Sequence, residues 1–435
     1  MIEKNNPKTI KAWAMYDWAN SVYPLVITTA IFPIFYSSAA IHESRLVDGQ
    51  SVDYVRFFGV EFINTELYSY VLSLSFLIVS FISPLLSGIA DYTGSKKKFL
   101  KFFCYLGSAG CAALAFFSKD YLEVSMLFIL IASIGYWGSL VFYNAFLPEI
   151  ADTHLHDRVS AQGFAYGYIG SSILLVANLA VILTLGNEYV TYCFISVALW
   201  WVGFAQLTYK RLPDNPYNRK PSSEYIWKGY EELKQVWKEL GDLTNIKRFL
   251  RSFFVYSMGV QTVMVMAVLF AKKEIDWQGQ GDTGLIVSVL IIQFIAVFGA
   301  YMFARLSSKI GNVPVLLISL LIWIGVCLAA YFISTPFEFY MLAVLVGLVM
   351  GGIQALSRST YSKMLPETID HASYFSFYDV VEKLGFVIGA FLFGLIEGVT
   401  SSMRYSALAL LSFFVIGFLL LLMVKKEDSI SPQKA

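Results

Sequence analysis

The sequence predicts an all-α integral membrane protein of twelve transmembrane helices arranged as two six-helix halves, and three observations predict it. The chain repeatedly runs about 20 residues with almost no charge, enough at 1.5 Å of rise per residue to cross a hydrocarbon core of roughly 30 Å. Its composition is 57% hydrophobic and 14% charged, against about 25% charged in an ordinary soluble domain, so most of the surface cannot face water. Lysine and arginine also alternate from side to side. With twelve spans, twenty-five fall on the side of the termini and six opposite, and Lys383 alone remains inside a span. That asymmetry predicts cytoplasmic termini. Membrane strands would need only about 10 residues and would alternate in polarity, which these runs do not.

The spans are expected near 12–37, 67–90, 99–117, 122–147, 159–185, 190–209, 249–270, 285–304, 313–333, 337–354, 372–397 and 403–424. Segment 210–248 separates spans six and seven, dividing the chain into an N-terminal bundle, 1–209, and a C-terminal bundle, 249–435. Its centre, SSEYIWKGYEELKQVWKEL, places Tyr225, Ile226, Tyr230, Leu233, Trp237 and Leu240 on one helical face with charges opposite. Such a helix lies on a membrane surface or against the bundle. The N-terminus begins polar, MIEKNNPKTIK, and the first apolar stretch is too long for a signal-peptide core. A net charge of +1 gives no electrostatic reason for a nucleic-acid partner. Cys104, Cys111, Cys193 and Cys327 all fall in apolar runs, where small soft side chains pack, so neither a disulfide nor a metal site is expected.

Between spans two and three stands SGIADYTGSKKKFL, residues 87–100. It resembles the signature of the major facilitator superfamily, with Asp91, Gly94, Lys96 and Lys97 in the motif positions and Ser87 where glycine is usual. Between spans eight and nine, ARLSSKIGNVPVL repeats the spacing about half a chain later with Ala304, Lys309 and Gly311, but Ser308 takes the aspartate position. The physical sense of the first copy is that Asp91 can sit at the positive N-terminal end of span eleven, around Ala372 and Ser373, and latch the halves together. Asp91, Gly94 and Lys96, with Arg358, are therefore the expected cytoplasmic gate. The plainer alternative is that Asp91 ends a helix and Lys96 to Lys98 only anchor it.

A closer resemblance lies in AWAMYDWANSVYPLVITTAIFPIFY at 12–36, FYNAFLPEIA at 142–151 with RVSAQGFAYGYIGS at 158–171, and GGIQALSRSTYSKMLPE at 351–367. These segments look like the autophagy-related vacuolar amino-acid effluxer family and its bacterial relatives, a branch of the major facilitators. The resemblance implies the major facilitator fold, two pseudo-symmetric six-helix bundles, and export of neutral amino acids. A bacterial plasma membrane is the expected location, with a small-molecule solute and protons as partners and no cofactor.

An ionisable group inside a span costs about 2.5 to 3.5 kcal/mol and asks for a partner. Asp17 and Asn20, in the first span, are expected on the substrate or proton pathway, where Asp17 can bind a cation, an amine or a proton, or be an inert helix-end carboxylate. In span eleven Asp379, Glu382 and Lys383 share one face at spacings of three and four. They form either a proton relay or substrate clamp, or a self-neutralising pair that only holds helices together. Asp17, Glu382 and Lys383 are the candidates for proton coupling. By analogy with the major facilitators, in which spans one, four, seven and ten line the pathway, Asn144, Gln261 and Gln354 join the substrate path. Pro24 and Pro33 are expected to kink span one, and Gly163, Gly167 and Gly170 to allow close packing of span five.

No Walker loop, HExxH or GxSxG motif is present, and His42, His154, His156 and His371 read as loop residues. The expected function is thus secondary transport by alternating access and not catalysis. From another class, a receptor or scaffold that keeps this fold without transport competes with it. A polar central cavity would distinguish the first from a collapsed, dry centre.

Overall fold

The computed structural model describes residues 3–47, 50–214, 225–277, 279, 281–400 and 402–425. Arg219, Lys220, Lys426 and Lys434, and the side chains of Tyr225 and Ile226, lie outside the described residues.

Among the described residues ten helices are long and apolar enough to cross a membrane: Asn64–Thr93, Lys96–Phe116, Lys119–Ile150, Thr153–Leu185, Asn187–Tyr209, Thr244–Glu274, Thr283–Ile310, Asn312–Phe332, Pro336–Met364 and Met403–Leu421. They are spans two to ten and span twelve. Span one is the bent pair Pro7–Ala30 and Phe32–Ala39. Span eleven is His371–Thr400, 30 residues carrying Asp379, Glu382 and Lys383. The first and last described residues lie on one face. There the Asn5 amide donates to Ile150 O at 2.8 Å, and the Lys425 amide to Asn245 Oδ1 at 2.9 Å.

The packing repeats with a shift of six. Span one packs on five and six, span two on four, and span three on four and six; seven packs on eleven and twelve, eight on ten, and nine on ten and twelve. Each half also crosses to the other in the same way, two against eleven and eight against five. Two of the motif glycines serve this symmetry. Gly94 ends span two at φ +66° and Gly311 stands between spans eight and nine at φ +85°, backbone conformations that side chains avoid.

Span one begins at Pro7, with Asn6 Oδ1 accepting from the Lys8 amide as its cap. Asp17 therefore lies nearly three turns into the helix, deeper than the first apolar residue suggests. Beyond it, Tyr23–Ala30 is π-helical and the span bends by 40° before Phe32. Pro24 stands at the start of the π-helical stretch and Pro33 just past the bend, and each lacks an N–H and sets its ring against the carbonyl four residues back.

Two sequence expectations change. The chain is not purely helical, because Glu43–Val47, Gln50–Phe57 and Val60–Ile63 form an antiparallel three-stranded sheet between spans one and two. Phe58 and Gly59, both at positive φ, make the second tight turn. His156 is no surface residue: it opens the long helix of span five, 2% exposed, with its ring against Ala151 O at 3.1 Å. His371 likewise opens span eleven.

The linker helix, Tyr225–Asp242, lies across span two and the start of span eleven. A Cβ on Gly88 of span two would overlap the Gly229 carbonyl oxygen, and one on Gly229 would come within 2.7 Å of the Ile89 nitrogen, so the two backbones touch. Val236 and Leu240 are buried against the bundle, while Tyr230 and Trp237 are exposed. The single apolar face expected from the sequence is thus shared between bundle and surroundings.

Spans eight and ten approach as closely, since a Cβ on Gly351 would overlap the Ala296 carbonyl. Gly351→Leu should lower stability by about 1–3 kcal/mol or more through overpacking. Gly325→Leu, where nothing lies within 4 Å, should leave it unchanged, as denaturant unfolding in detergent would show.

Candidate functional site

A central cavity of about 210 Å³ opens between the halves, lined from spans one, four, five, seven, eight, ten and eleven. Its polar positions include Asp17, Asn144, Gln261, Gln354, Arg358 and Glu382, and an apolar wall is built by Val260, Val263, Met264, Ile292, Met350 and Ile353.

The floor of the cavity is an ion pair across the halves. Arg358 of span ten reaches Asp17 Oδ2 of span one at 3.4 Å, with side chains 4% and 7% exposed. Tyr143 donates to the same oxygen at 2.8 Å. Arg358 also donates through Nε to Ser160 Oγ and through Nη2 to Ser160 O, both at 2.9 Å, and through Nη1 to Asn144 Oδ1 at 3.2 Å. Its guanidinium lies 4.2 Å from the Phe164 ring centroid and 4.9 Å from that of Trp13, within cation–π range. Trp13 is held by stacking on Tyr143, with centroids 4.4 Å apart, and by its indole N–H donating to Tyr143 O at 2.9 Å. A guanidinium suits this position because it stays charged, is planar, and offers five donors.

Glycines make room for the pair. A Cβ on Gly163 would overlap Asp17 Oδ2 and come within 3.0 Å of both Arg358 Nη2 and Tyr143 Oη. One turn on, a Cβ on Gly167 would overlap Ser21 Oγ. Span five can therefore lie against span one only where it has no side chains.

On the opposite wall Gln261 donates to Glu382 Oε1 at 2.7 Å. Among the described residues Glu382 has no cation within ion-pair distance. Lys383 pairs with Asp379 one turn back and lies 5.0 Å from the Trp137 ring centroid. It is buried behind the cavity and does not line it. Asn20 is also buried away from the lining, beside Ser21. Gln354 accepts from the Tyr168 hydroxyl, a link between the halves.

Toward the termini face two networks close the interface. In the first, Asp91 accepts from the amides of Ala372 at 3.2 Å and Ser373 at 2.7 Å, which open span eleven. Lys96 Nζ lies 3.2 Å from Asp91 Oδ1, pairs with Glu149 and donates to Ile369 O at 3.2 Å. His371 Nδ1 stands 3.2 Å from Glu149 Oε1. Gly94 completes the turn that brings Lys96 back toward Asp91, while Arg358 lies deeper, at the cavity floor.

In the second network Asp157, at the start of span five, takes Ser307 Oγ at 2.8 Å from span eight, Asn312 Nδ2 at 2.7 Å from span nine, and Lys363 Nζ at 2.8 Å from span ten. Sequence reading missed this network, along with Glu149, Ser160 and Trp13. Asp157 and Lys363 read as ordinary helix-end charges. The available signal was Ser308: a motif copy without its aspartate asks where the carboxylate has gone. Among the described residues, the hydrogen bonds and ion pairs between the halves run from Tyr168–Gln354 toward the termini face.

Two six-helix bundles closing on a cavity with a charged floor and an apolar wall define a transporter of the major facilitator type. A family model described as "Vacuole effluxer Atg22 like" matches residues 5–434. A Bacillus subtilis protein described as the uncharacterized MFS-type transporter YxiO is 33% identical over 435 residues, covering 98% of this chain and 97% of its own. Autophagy-related protein 22 of Eremothecium gossypii is 26% identical over 458 residues, covering 94% and 89%. Of solved structures, the human organic anion transporter MFSD10 aligns with a TM-score of 0.71 at 12% identity over 96% of this chain and 100% of that one. The Escherichia coli fucose:proton symporter FucP aligns at 0.65 and 13% over 96% and 98%. The chain belongs to the Atg22-like family of MFS-type transporters.

Arg358→Gln strands a buried carboxylate and should destabilise the protein by about 3–5 kcal/mol, whereas Asp17→Asn together with Arg358→Gln should recover much of the loss. Unfolding of both single variants and the double variant in detergent checks this. Equal losses for the double and the Arg358 variant would show that the pair is not what Arg358 stabilises.

Proposed function

We propose that this chain is a secondary active transporter that moves a small neutral amino acid through the central cavity by alternating access, coupled to protons. It divides into bundles 1–209 and 249–435 joined by 210–248, with both termini in the cytoplasm of a bacterium and the plasma membrane as its location. The observation that carries the reading is the cavity between the halves, with its floor and both closing networks built from residues of opposite halves. The solute rests on the family resemblance alone, and the family model itself is described as a vacuole effluxer without naming a cargo.

The geometry supports division of labour. Asp17 and Arg358 already neutralise each other, so a zwitterion that exchanges partners with them leaves no net charge buried. Glu382 is a cavity carboxylate bonded to an amide and outside ion-pair distance of every described cation, and either a proton or a solute ammonium group neutralises it. A group that takes one or the other in turn links solute movement to proton movement. With cytoplasmic termini, the arrangement described here is the outward-facing one, latched inside by Asp91 and Asp157. Rocking requires both latches to part, and carboxylates exchange amide and ammonium partners for water at modest net cost.

In proteoliposomes with an imposed pH gradient, the protein should accumulate or expel labelled neutral amino acids. Glu382→Gln should lose gradient-driven accumulation and keep solute exchange, while Asp17→Asn should lose both. Lys383→Ala, behind the wall, should lower the amount of folded protein more than the exchange per molecule. A folded protein that moves no amino acid in any of these assays would sink the assignment. Asp91→Asn weakens the inner latch, and a cysteine introduced at Gln261 should then react several-fold faster with a reagent supplied from the termini side.

A further inference from the structure

The linker helix has two flanks of different chemistry. At about 100° per residue, Trp237, Tyr230, Lys234, Trp227 and Lys238 fall together on one side of the bundle-facing stripe of Gly229, Leu233, Val236 and Leu240. Of the four acidic residues, Glu232, Glu239 and Asp242 fall on the other side, and Glu231 stands at the outward pole between the two flanks. Trp227 and Trp237 are 72% and 67% exposed. Isolated exposed tryptophans are unremarked on a surface, but two with a tyrosine and two lysines, and no carboxylate among them, form a surface of defined chemistry.

What covers that flank is set by where it lies. The Trp237 ring packs on Phe377 of span eleven with centroids 5.3 Å apart. Phe377 begins the stripe that continues down the same helix face through Leu384, Ile388, Phe391 and Leu395, all exposed apolar side chains of a membrane-spanning helix. The flank therefore extends the lipid-facing surface of span eleven up to the level of the headgroups. There the amphipathic rings of tryptophan and tyrosine are at home, and lysines reach outward to phosphate.

We propose that this flank is seated in the headgroup layer of the leaflet on the termini face and that anionic phospholipids are its ligand. Through it, lipid composition sets the strength of the inner latch, a consequence that rests on the transport reading above. The connection is short. The helix touches span two backbone to backbone at Gly88 and Gly229, and Glu239 accepts from the Tyr374 hydroxyl at 2.7 Å. Tyr374 follows directly on Ala372 and Ser373, whose amides hold Asp91. Lipid that holds the helix down clamps span two of one half to span eleven of the other, the pair that must separate for the termini face to open.

Full-length protein in nanodiscs of phosphatidylcholine, alone or with about a third phosphatidylglycerol, tests both parts. Lipids brominated near the headgroup should quench a component of the tryptophan emission that Trp227→Phe with Trp237→Phe removes. Aqueous iodide quenching that component in place of bromolipid would overturn the seating. Spin labels at Lys98→Cys and Glu367→Cys report the width of the termini face. Anionic lipid should raise the closed-to-open ratio roughly tenfold, from a few-fold for each lysine near a charged surface. Lys234→Gln with Lys238→Gln should abolish the response while the bromolipid signal persists. A lipid response unchanged in that variant, or none in the native protein, would overturn the coupling. Because neither readout needs a solute, a chain that moved no amino acid and still responded to lipid would sink the transport reading and leave the lipid site standing.

Discussion

The structure turns on one interaction, the guanidinium of Arg358 held between Asp17, Ser160 and Asn144. Two charges in a low-dielectric interior repay their dehydration only if nearly every lone pair and proton is matched. Here two rings, a tyrosine hydroxyl, a serine and an asparagine do the matching. That requirement dictates much around it. Gly163 must lack a side chain, span one must come close to span five, and Trp13 must be stacked on Tyr143. Because the two charges belong to different halves, the pair also ties the position of one half to that of the other.

Below it the two closing networks use related chemistry in different ways. Asp91 exploits the free amides at the start of a helix, donors that exist at every helix N-terminus and need no particular side chain. Asp157 draws instead on side chains of the other half, Ser307, Asn312 and Lys363. The duplicated scaffold is kept, as the packing of spans shows, while the carboxylate of the second latch has moved from the end of span eight to the start of span five.

The spans were legible in the sequence because apolar length is a direct physical demand of the bilayer, and Gly94 and Gly311 because glycine takes up positive φ at the least cost. The contact between Asp91 and span eleven was legible for the same kind of reason: a carboxylate at a helix end seeks amides. The cavity floor was only partly so. Asp17 and Arg358 each stood out as a charge near a span, yet nothing local joins residues 341 positions apart. Lys383 drew attention as a lone intramembrane cation, and it is Glu382 beside it that faces the cavity, since one helix residue is a 100° turn. The small sheet before span two escaped because an apolar-run search does not see short strands outside the bilayer.

The two closing networks share a polarity that bears on how such a chain is made. Asp17, Asp91, Glu149 and Asp157 all belong to the half synthesised first, and Arg358, Lys363, His371 and the amides of span eleven to the half synthesised second. Until the second half arrives, the first presents a mating surface that is acidic apart from Lys96, and two copies of it repel. During insertion into a crowded membrane, charge therefore steers each early half away from other early halves and toward the complementary surface nearest to it, the one still emerging on the same ribosome.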